Sequence, residues 1–461
     1  MKTAYRFAAL LLSCTVLAAP AAAESLLDVY QRALQSDPGI REAEAEYLAD
    51  LEIRPQSRSA LLPQVEARAG RSWDDAEGTG VFQRIDDDGN IVNQSTQFAE
   101  DGRTTNWTLE LRQTLFRWDQ WTRFRQADKR VAQAETRFEA AKQDLMLRVS
   151  EAYFEVLAAE DQLSSAQATK EAIEQQLEQA ERRFEVGLIA ITDVQESRAA
   201  FDRSVADEIA AQRQLASARE VLRELTGQYI SRLTPPQDEL PLVTPSPASE
   251  DAWVDTALAQ NLDLVATRIG AEIASDDVRI ERSGHYPTVD LVVSRQRSET
   301  QADRSNNMGP FLPTDSDRRA DTIALQFNVP LFSGGGTSSR VREQVYRHRA
   351  SREAVDRVTR ETERVARDSY LGVVSEISRV RALEQAVRSS QTALEATETG
   401  FEVGTRTTVD VLDARQRLFQ AETDYSRSRY DYILNTLRLK SAAGILSVQD
   451  LEQIDGWLNN D

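Results

Sequence analysis

The chain has 461 residues, enough for two or three ordinary domains, yet it is 41% hydrophobic, only 7% aromatic and 28% charged. That mixture is lean for a thick globular core and suits long helices that bury a narrow stripe. A formal net charge of −20 argues against nucleic acid or an anionic membrane surface as the partner.

The first 23 residues read as an export signal. Lys2 and Arg6 form a positive start, Phe7 to Ala19 an apolar run, and Ala21-Ala22-Ala23 a small-residue cleavage site before Glu24. The apolar run is too short to cross a bilayer as a helix. A lipoprotein box at Leu11-Leu-Ser-Cys14 is the rival reading. It is disfavoured because the apolar run continues well past the cysteine. Cleavage removes Lys2, Arg6 and the single cysteine, so the mature chain carries −22 and cannot form a disulfide. No later stretch approaches a transmembrane helix.

The mature chain is built on an internal repeat. Asp28-Val-Tyr-Gln-Arg-Ala33-Leu34 matches Trp253-Val-Asp-Thr-Ala257-Leu258 at an offset of 224, and Pro63 matches Pro287. Leu115-Phe116 then matches Leu331-Phe332 at an offset of 216. These matches divide the mature chain into a first repeat over 24–233, a proline-rich linker over 234–250, a second repeat over 251–446 and a C-terminal segment over 447–461. Each repeat reads as helix, strand, loop, strand, long helix, tip and returning helix.

The strands rest on alternation. Val65, Ala67, Ala69 and Trp73 alternate with polar residues, as do Trp107, Leu109, Leu111 and Leu115 on the return. Val289, Leu291 and Val293, then Ile323, Leu325, Phe327 and Val329, repeat the pattern. The intervening stretches are read as long polar loops, one containing Asp74-Asp75, Glu77, Asp86 to Asp88 and Glu100-Asp101, the other Asn306 to Pro310 and Asp315 to Arg319. Strands of about 10 residues suit a tilted bilayer crossing, with apolar residues toward lipid and polar ones toward a lumen. Trp73, Trp107, Phe116, Trp118 and Trp121 fall near strand ends, where interfacial aromatics belong.

The long helices show the clearest period. A stripe runs Phe124, Ala127, Val131, Ala134, Phe138, Ala141, Leu145, takes one extra step to Val149, and resumes through Ala152 to Phe184. That is a heptad seam with a stutter, which locally unwinds a supercoil. About 65 residues of helix reach about 100 Å. Each long helix ends in the same four residues, Phe184-Glu-Val-Gly187 and, 217 positions on, Phe401-Glu-Val-Gly404. Gly187 and Gly404 are therefore predicted to close the helices in the left-handed conformation, making each site the turn of a helical hairpin. Returning helices are predicted over Ile191 to Leu225 and Val409 to Ala443, stopped by Gly227 and Gly444.

Catalytic chemistry is missing. The two histidines, His285 and His348, and the absence of a mature cysteine leave little for nucleophilic or metal catalysis. Gly334-Gly-Gly336 lacks the lysine of a phosphate loop and reads as a strand-to-helix joint. No enzyme and no cofactor are expected. Four membrane strands cannot close a barrel, and an open sheet in lipid leaves backbone groups unpaired, so at least two chains must share one barrel.

The two tips, the duplicated strand pairs, and Tyr430-Asp-Tyr-Ile-Leu-Asn435 to Lys440-Ser-Ala-Ala-Gly444 resemble the TolC family of outer-membrane channel proteins. The resemblance covers essentially the whole mature chain. It implies a mainly α protein with a β-barrel portion, a homotrimer in which a twelve-stranded barrel in outer-membrane lipid continues into a twelve-helix periplasmic tunnel. It implies residues 447–461 packing at the tunnel equator, in the outer membrane of a Gram-negative bacterium. The implied function is an exit duct for efflux or type I secretion. The implied partners are a periplasmic adaptor (membrane fusion) protein and an inner-membrane RND or ABC transporter, with adaptor contact at the Gly187 and Gly404 turns.

The resemblance also assigns a gate. Asp410 and Asp413 correspond to acidic rings at the periplasmic constriction. Being three apart in the first turns of a helix, they share one face. Arg406 and Asp193 correspond to a latch, with Thr192 and Gln176 as hydrogen-bonding neighbours. The family often has tyrosine where this chain has Phe401, so one closing hydrogen bond is absent, which weakens the closed state by about 1 kcal/mol. The plainer reading of the acids is that they stabilise helix starts, and Thr192 with Gln195 makes an acceptable capping box. The competing functional reading is a secreted or periplasmic coiled-coil structural protein without channel activity. A periplasmic adaptor would instead show a single helical hairpin flanked by compact β-domains.

Overall fold

A computed structural model of the chain describes residues 23–237, 239–306, 309–310 and 314–458. Residues 1–22 of the proposed export signal, Cys14 among them, and part of the second loop, including Asn307 and Met308, lie outside the described residues. In chain order the elements are α1 (Leu26–Ser36), α2 (Pro38–Leu51), α3 (Ile53–Ser59), β1 (Gln64–Ile85), β2 (Ile91–Phe116), α4 (Trp118–Glu185) and α5 (Ile191–Thr226). After these come α6 (Glu250–Gln260), α7 (Leu262–Arg282), β3 (Thr288–Asn306), β4 (Gly309–Pro310), β5 (Thr314–Asn328), α8 (Gly336–Glu402), α9 (Thr408–Ala442) and α10 (Val448–Asp455). The elements form two compact units. Of the described residues, one unit holds those up to Glu46, Thr136–Val265 and those from Asp356; the other holds those in Tyr47–Glu135 and Ala266–Val355.

The second unit is organised on an antiparallel sheet in which β2 and β3 are central, β1 pairs with β2, and β5 pairs with β3. The register aligns Val65 with Leu111, Leu111 with Val293, and Val293 with Ile323, so one apolar row crosses all four long strands on one face. That face is open: Ile323 is 78% exposed and Val65 65%. So much exposed aliphatic and aromatic surface on one side of a sheet marks an interaction face rather than scattered surface residues.

The strands run much further than alternation predicts. β1 spans 22 residues and β2 26, and the turn between them is only Asp86 to Asn90. There the Asp86 carboxylate accepts from the amides of Asp88 at 3.1 Å and Asn90 at 2.7 Å, and Gly89 takes φ +83°. The stretches around Asp74 to Glu77, Glu100-Asp101 and Asp315 to Arg319, expected as loops, are therefore strand. Alternation reports a contrast between two environments; where both faces are polar it vanishes, while ladder hydrogen bonds continue. Below the sheet, α4 is tied to α7 by Gln126 Nε2, which donates to the Ile273 carbonyl at 3.0 Å and Asp277 Oδ1 at 2.7 Å, and by Lys129 to Asp276 at 2.9 Å.

The first unit is a helical body whose core gathers Leu26, Tyr30, Tyr153, Phe154, Trp253, Tyr430, Tyr432, Leu439 and Leu451. Phe154 stacks on Tyr430 with ring centroids 5.7 Å apart. The linker lies over this core because buried phenols hold its backbone. Tyr153 Oη donates to the Thr234 carbonyl at 2.7 Å and accepts the Thr234 amide at 3.1 Å, while Tyr432 Oη accepts the Val243 amide at 2.9 Å. Burial pushes the Tyr153 hydroxyl well above its ordinary pKa. In this unit α4 and α8, 68 and 67 residues long overall, turn back as α5 and α9. Gly187 (φ +75°) and Gly404 (φ +81°) take the left-handed conformation that the turns require.

Candidate functional site

The two hairpin ends, tip 1 (184–198) and tip 2 (401–415), are the region to which the sequence assigns a gate. In both, the final helical turn is closed by backbone: the Leu188 amide donates to the Arg183 carbonyl at 2.9 Å, and the Thr405 amide to the Gly400 carbonyl at 2.8 Å. Each hairpin is also bridged by an ion pair at equivalent positions. Arg198 meets Glu181 at 2.7 Å, and 217 positions later Arg415 meets Glu398 at 2.5 Å. Sequence reasoning missed these four residues, although their recurrence at the tip offset was a legible signal.

The starts of the returning helices differ. At tip 2, Thr407 is the cap: its Oγ1 accepts the Asp410 amide at 3.2 Å, and the Asp410 carboxylate accepts the Thr407 amide at 2.8 Å and hydroxyl at 2.9 Å. These hydrogen bonds, with the charges of Arg406 and Arg417, hold the Asp410 carboxyl below its ordinary pKa. Asp410 thus completes a reciprocal capping box. At tip 1 the cap position is Ala190, which has no side chain to accept, and Asp193 follows it in the first turn. The capping box expected from Thr192 and Gln195 does not form, because the cap position is Ala190 and Thr192 already lies inside the helix; Thr192 is exposed.

The other residues that the sequence resemblance assigns to a gate do not gather in one place. Asp413, one turn beyond Asp410, is exposed and lines a cleft of about 650 Å³ between α4, α5 and α9, together with Thr169, Arg203, Asp207 and Gln416. Gln176 on α4 is buried. Arg406 is exposed, its stem resting on Gly400, where a Cβ would lie 2.8 Å from Arg406 Cγ. Among the described residues, no ion pair or hydrogen bond joins Arg406 to Asp193, Thr192 or Gln176 within the chain. Phe401 is half-buried, with the Arg183 guanidinium 4.6 Å from its ring centroid. Among the described residues no group of three or more metal-ligating side chains is assembled.

Among the described residues the tips carry charged side chains at helix ends and no nucleophile–base pair. The sequence profile of the family described as outer membrane efflux protein matches residues 29–228 and 253–445. The outer membrane protein TolC of Vibrio cholerae is 36% identical over 437 residues, covering 95% of this chain and 94% of that one. The alkaline protease secretion protein AprF of Pseudomonas aeruginosa is 32% identical over 436 residues, covering 93% and 86%. Among solved structures, the Campylobacter jejuni CmeC outer membrane channel superposes with a TM-score of 0.73 at 15% identity, covering 95% of this chain and 90% of that one, a likeness of fold. The chain belongs to the outer membrane efflux protein family and is an outer-membrane exit channel, not an enzyme.

Proposed function

We propose that three copies of this chain assemble into one channel, with a twelve-stranded barrel in the outer membrane continued by a twelve-helix periplasmic tunnel. The observation that carries this reading is the sheet. Among the described residues β1 pairs only with β2 and β5 only with β3, and the face bearing Val65, Ile323, Leu325 and Phe327 is exposed. Open edges are not viable in lipid, where every backbone donor and acceptor must be paired, so other copies must complete the sheet. Two copies would already reach the smallest barrel size; the number three rests on the family resemblance.

In this reading the tips form the inner end of the duct. Asp410 and Asp413 line it as two acidic rings, which attract cations and repel one another. Asp410 does both jobs, because a capped carboxylate stays ionised. Arg406 and Asp193 link neighbouring chains, with Thr192 and Gln176 beside them. The turns at Gly187 and Gly404 meet a periplasmic adaptor, which connects the duct to an inner-membrane RND or ABC transporter. The residues before Glu24 are removed as an export signal. Similarity to a protease secretion protein and to TolC supports a duct serving secretion, efflux or both.

The test is direct. Purified full-length protein in a planar bilayer is expected to give discrete conductance steps, and native mass spectrometry three chains per particle. Recovery of the protein in a detergent-free soluble extract, without conductance, would instead establish the coiled-coil structural reading.

A further inference from the structure

Each hairpin end is bound to itself by its own ion pair, Arg198 to Glu181 and Arg415 to Glu398. Neither pair reaches across the boundary from one hairpin to the other, so what joins the two hairpin ends lies elsewhere. At that boundary stand Arg183, in the last turn of α4, and Phe401, next to the last residue of α8. The guanidinium carbon lies 4.6 Å from the ring centroid, inside the distance at which the negative face of an aromatic ring attracts a cation. Both side chains are half-buried, which limits competition from water.

The neighbouring charge sharpens the assignment. Arg182 turns to Glu178 at 3.3 Å, along its own helix, whereas Arg183 has no carboxylate partner among the described residues. The contact is also one-sided. The residue equivalent to Arg183 in tip 2 is Gly400, which has no side chain to lay over Phe184, and Phe184 is left 42% exposed.

We propose that Arg183 and Phe401 are the latch between the two hairpin ends of a chain, a cation–π contact that holds tip 2 against tip 1 in the closed state. It needs no phenolic hydroxyl, so phenylalanine at 401 does not leave the gate without a fastening. It also differs in kind from the carboxylate links, because it pairs a cation with an aromatic face and uses no carboxylate. The inference rests on the reading of tip 2 as the gate.

The experiment is single-channel recording of the full-length protein with Arg183→Gln, Phe401→Leu and the double variant, beside Phe401→Tyr and Arg182→Gln. Each of the first two is expected to raise occupancy of the open level about two- to five-fold per latch, the range of an exposed to partly buried cation–π contact. The double variant is expected to go no further than the larger single, since one contact is lost once. Arg182→Gln is expected to match the wild type, and Phe401→Tyr, which keeps the ring beneath Arg183 and adds a hydroxyl, to open no more often than the wild type. Wild-type behaviour of Arg183→Gln, or effects that multiply in the double variant, would overturn the latch. If Phe401→Leu does not reach the membrane, Arg183→Lys decides: a cation kept over the ring should fall between wild type and Arg183→Gln, and equality with Arg183→Gln would sink the proposal. A wild-type protein that forms no pore would overturn the channel reading itself, an outcome distinct from a conducting wild type that the variants leave unchanged.

Discussion

Tip 1 and tip 2 share a skeleton and differ in what it carries. Both end in Phe-Glu-Val-Gly, both close through a left-handed glycine, and both are bridged by an arginine–glutamate pair at the same spacing. Yet the position held by Thr407 in tip 2 is Ala190 in tip 1, that of Arg406 is Ile189, and that of Gly400 is Arg183. Tip 2 therefore has a capped helix, an exposed cation and a bare spot on which that cation rests. Tip 1 has an uncapped helix, exposed Val186, Leu188 and Ile191, and the arginine that reaches across to Phe401. The lesson is a division of labour: one end of the duplicated hairpin presents charge, the other presents apolar surface and supplies the reach.

The largest expected effect breaks this contrast at its most charged point. Arg406→Ser should raise resting conductance by about tenfold or more, because a charged hydrogen-bonding partner contributes about 1.5–3 kcal/mol; conductance equal to the wild type would remove Arg406 from the gate. Gly400→Ala should act through the same residue but less strongly, since the added methyl must push the Arg406 stem from a 2.8 Å contact. A Gly400→Ala channel indistinguishable from the wild type would show that the seat of Arg406 is unimportant.

Smaller effects test the caps. Thr407→Ala should destabilise the start of α9 by about 1 kcal/mol. Ala190→Ser should stabilise the start of α5 by a similar amount, because the Ala190 backbone is already extended, as a cap requires, and Asp193 stands where the box partner belongs. Hydrogen exchange of the two segments measures both; the pair of opposite shifts is the expected result.

The smallest effect is one of pH. The folded-state pKa of Asp410 is depressed, so its contribution is fully present above the ordinary aspartate value of about 3.9 and is lost as pH falls through the lower folded value. Protection from exchange at the α9 start, relative to the intrinsic rate at each pH, should be flat from neutral pH to about 5 and fall only below about 4. A fall near pH 6 would mean that repulsion within the proposed acidic rings outweighs the Thr407 hydrogen bonds.

Much of this was legible in the sequence, for identifiable reasons. The long helices announce themselves because their seam is continuous over many turns, and Gly187, Gly404, Gly227 and Gly444 mark ends that need positive φ. The strand pairs are visible only where one face is apolar, which is why Asp74 to Glu77 and Asp315 to Arg319 look like loops although they are paired. The cap of α5 was hidden because alanine carries no capping signal and Thr192, which does, lies just inside the helix. The Arg183–Phe401 contact joins residues far apart in sequence and follows no period, so only the packing of two helix ends reveals it.

The central claim, that tip 2 is the selective constriction of a channel, is tested most directly by multivalent cation block. Wild-type channels in a planar bilayer should be blocked from the side on which the tips lie, and Asp410→Ala combined with Asp413→Ala should abolish that block while leaving a conducting pore. Block that persists unchanged in the double variant would contradict the assignment of the two aspartates to the constriction.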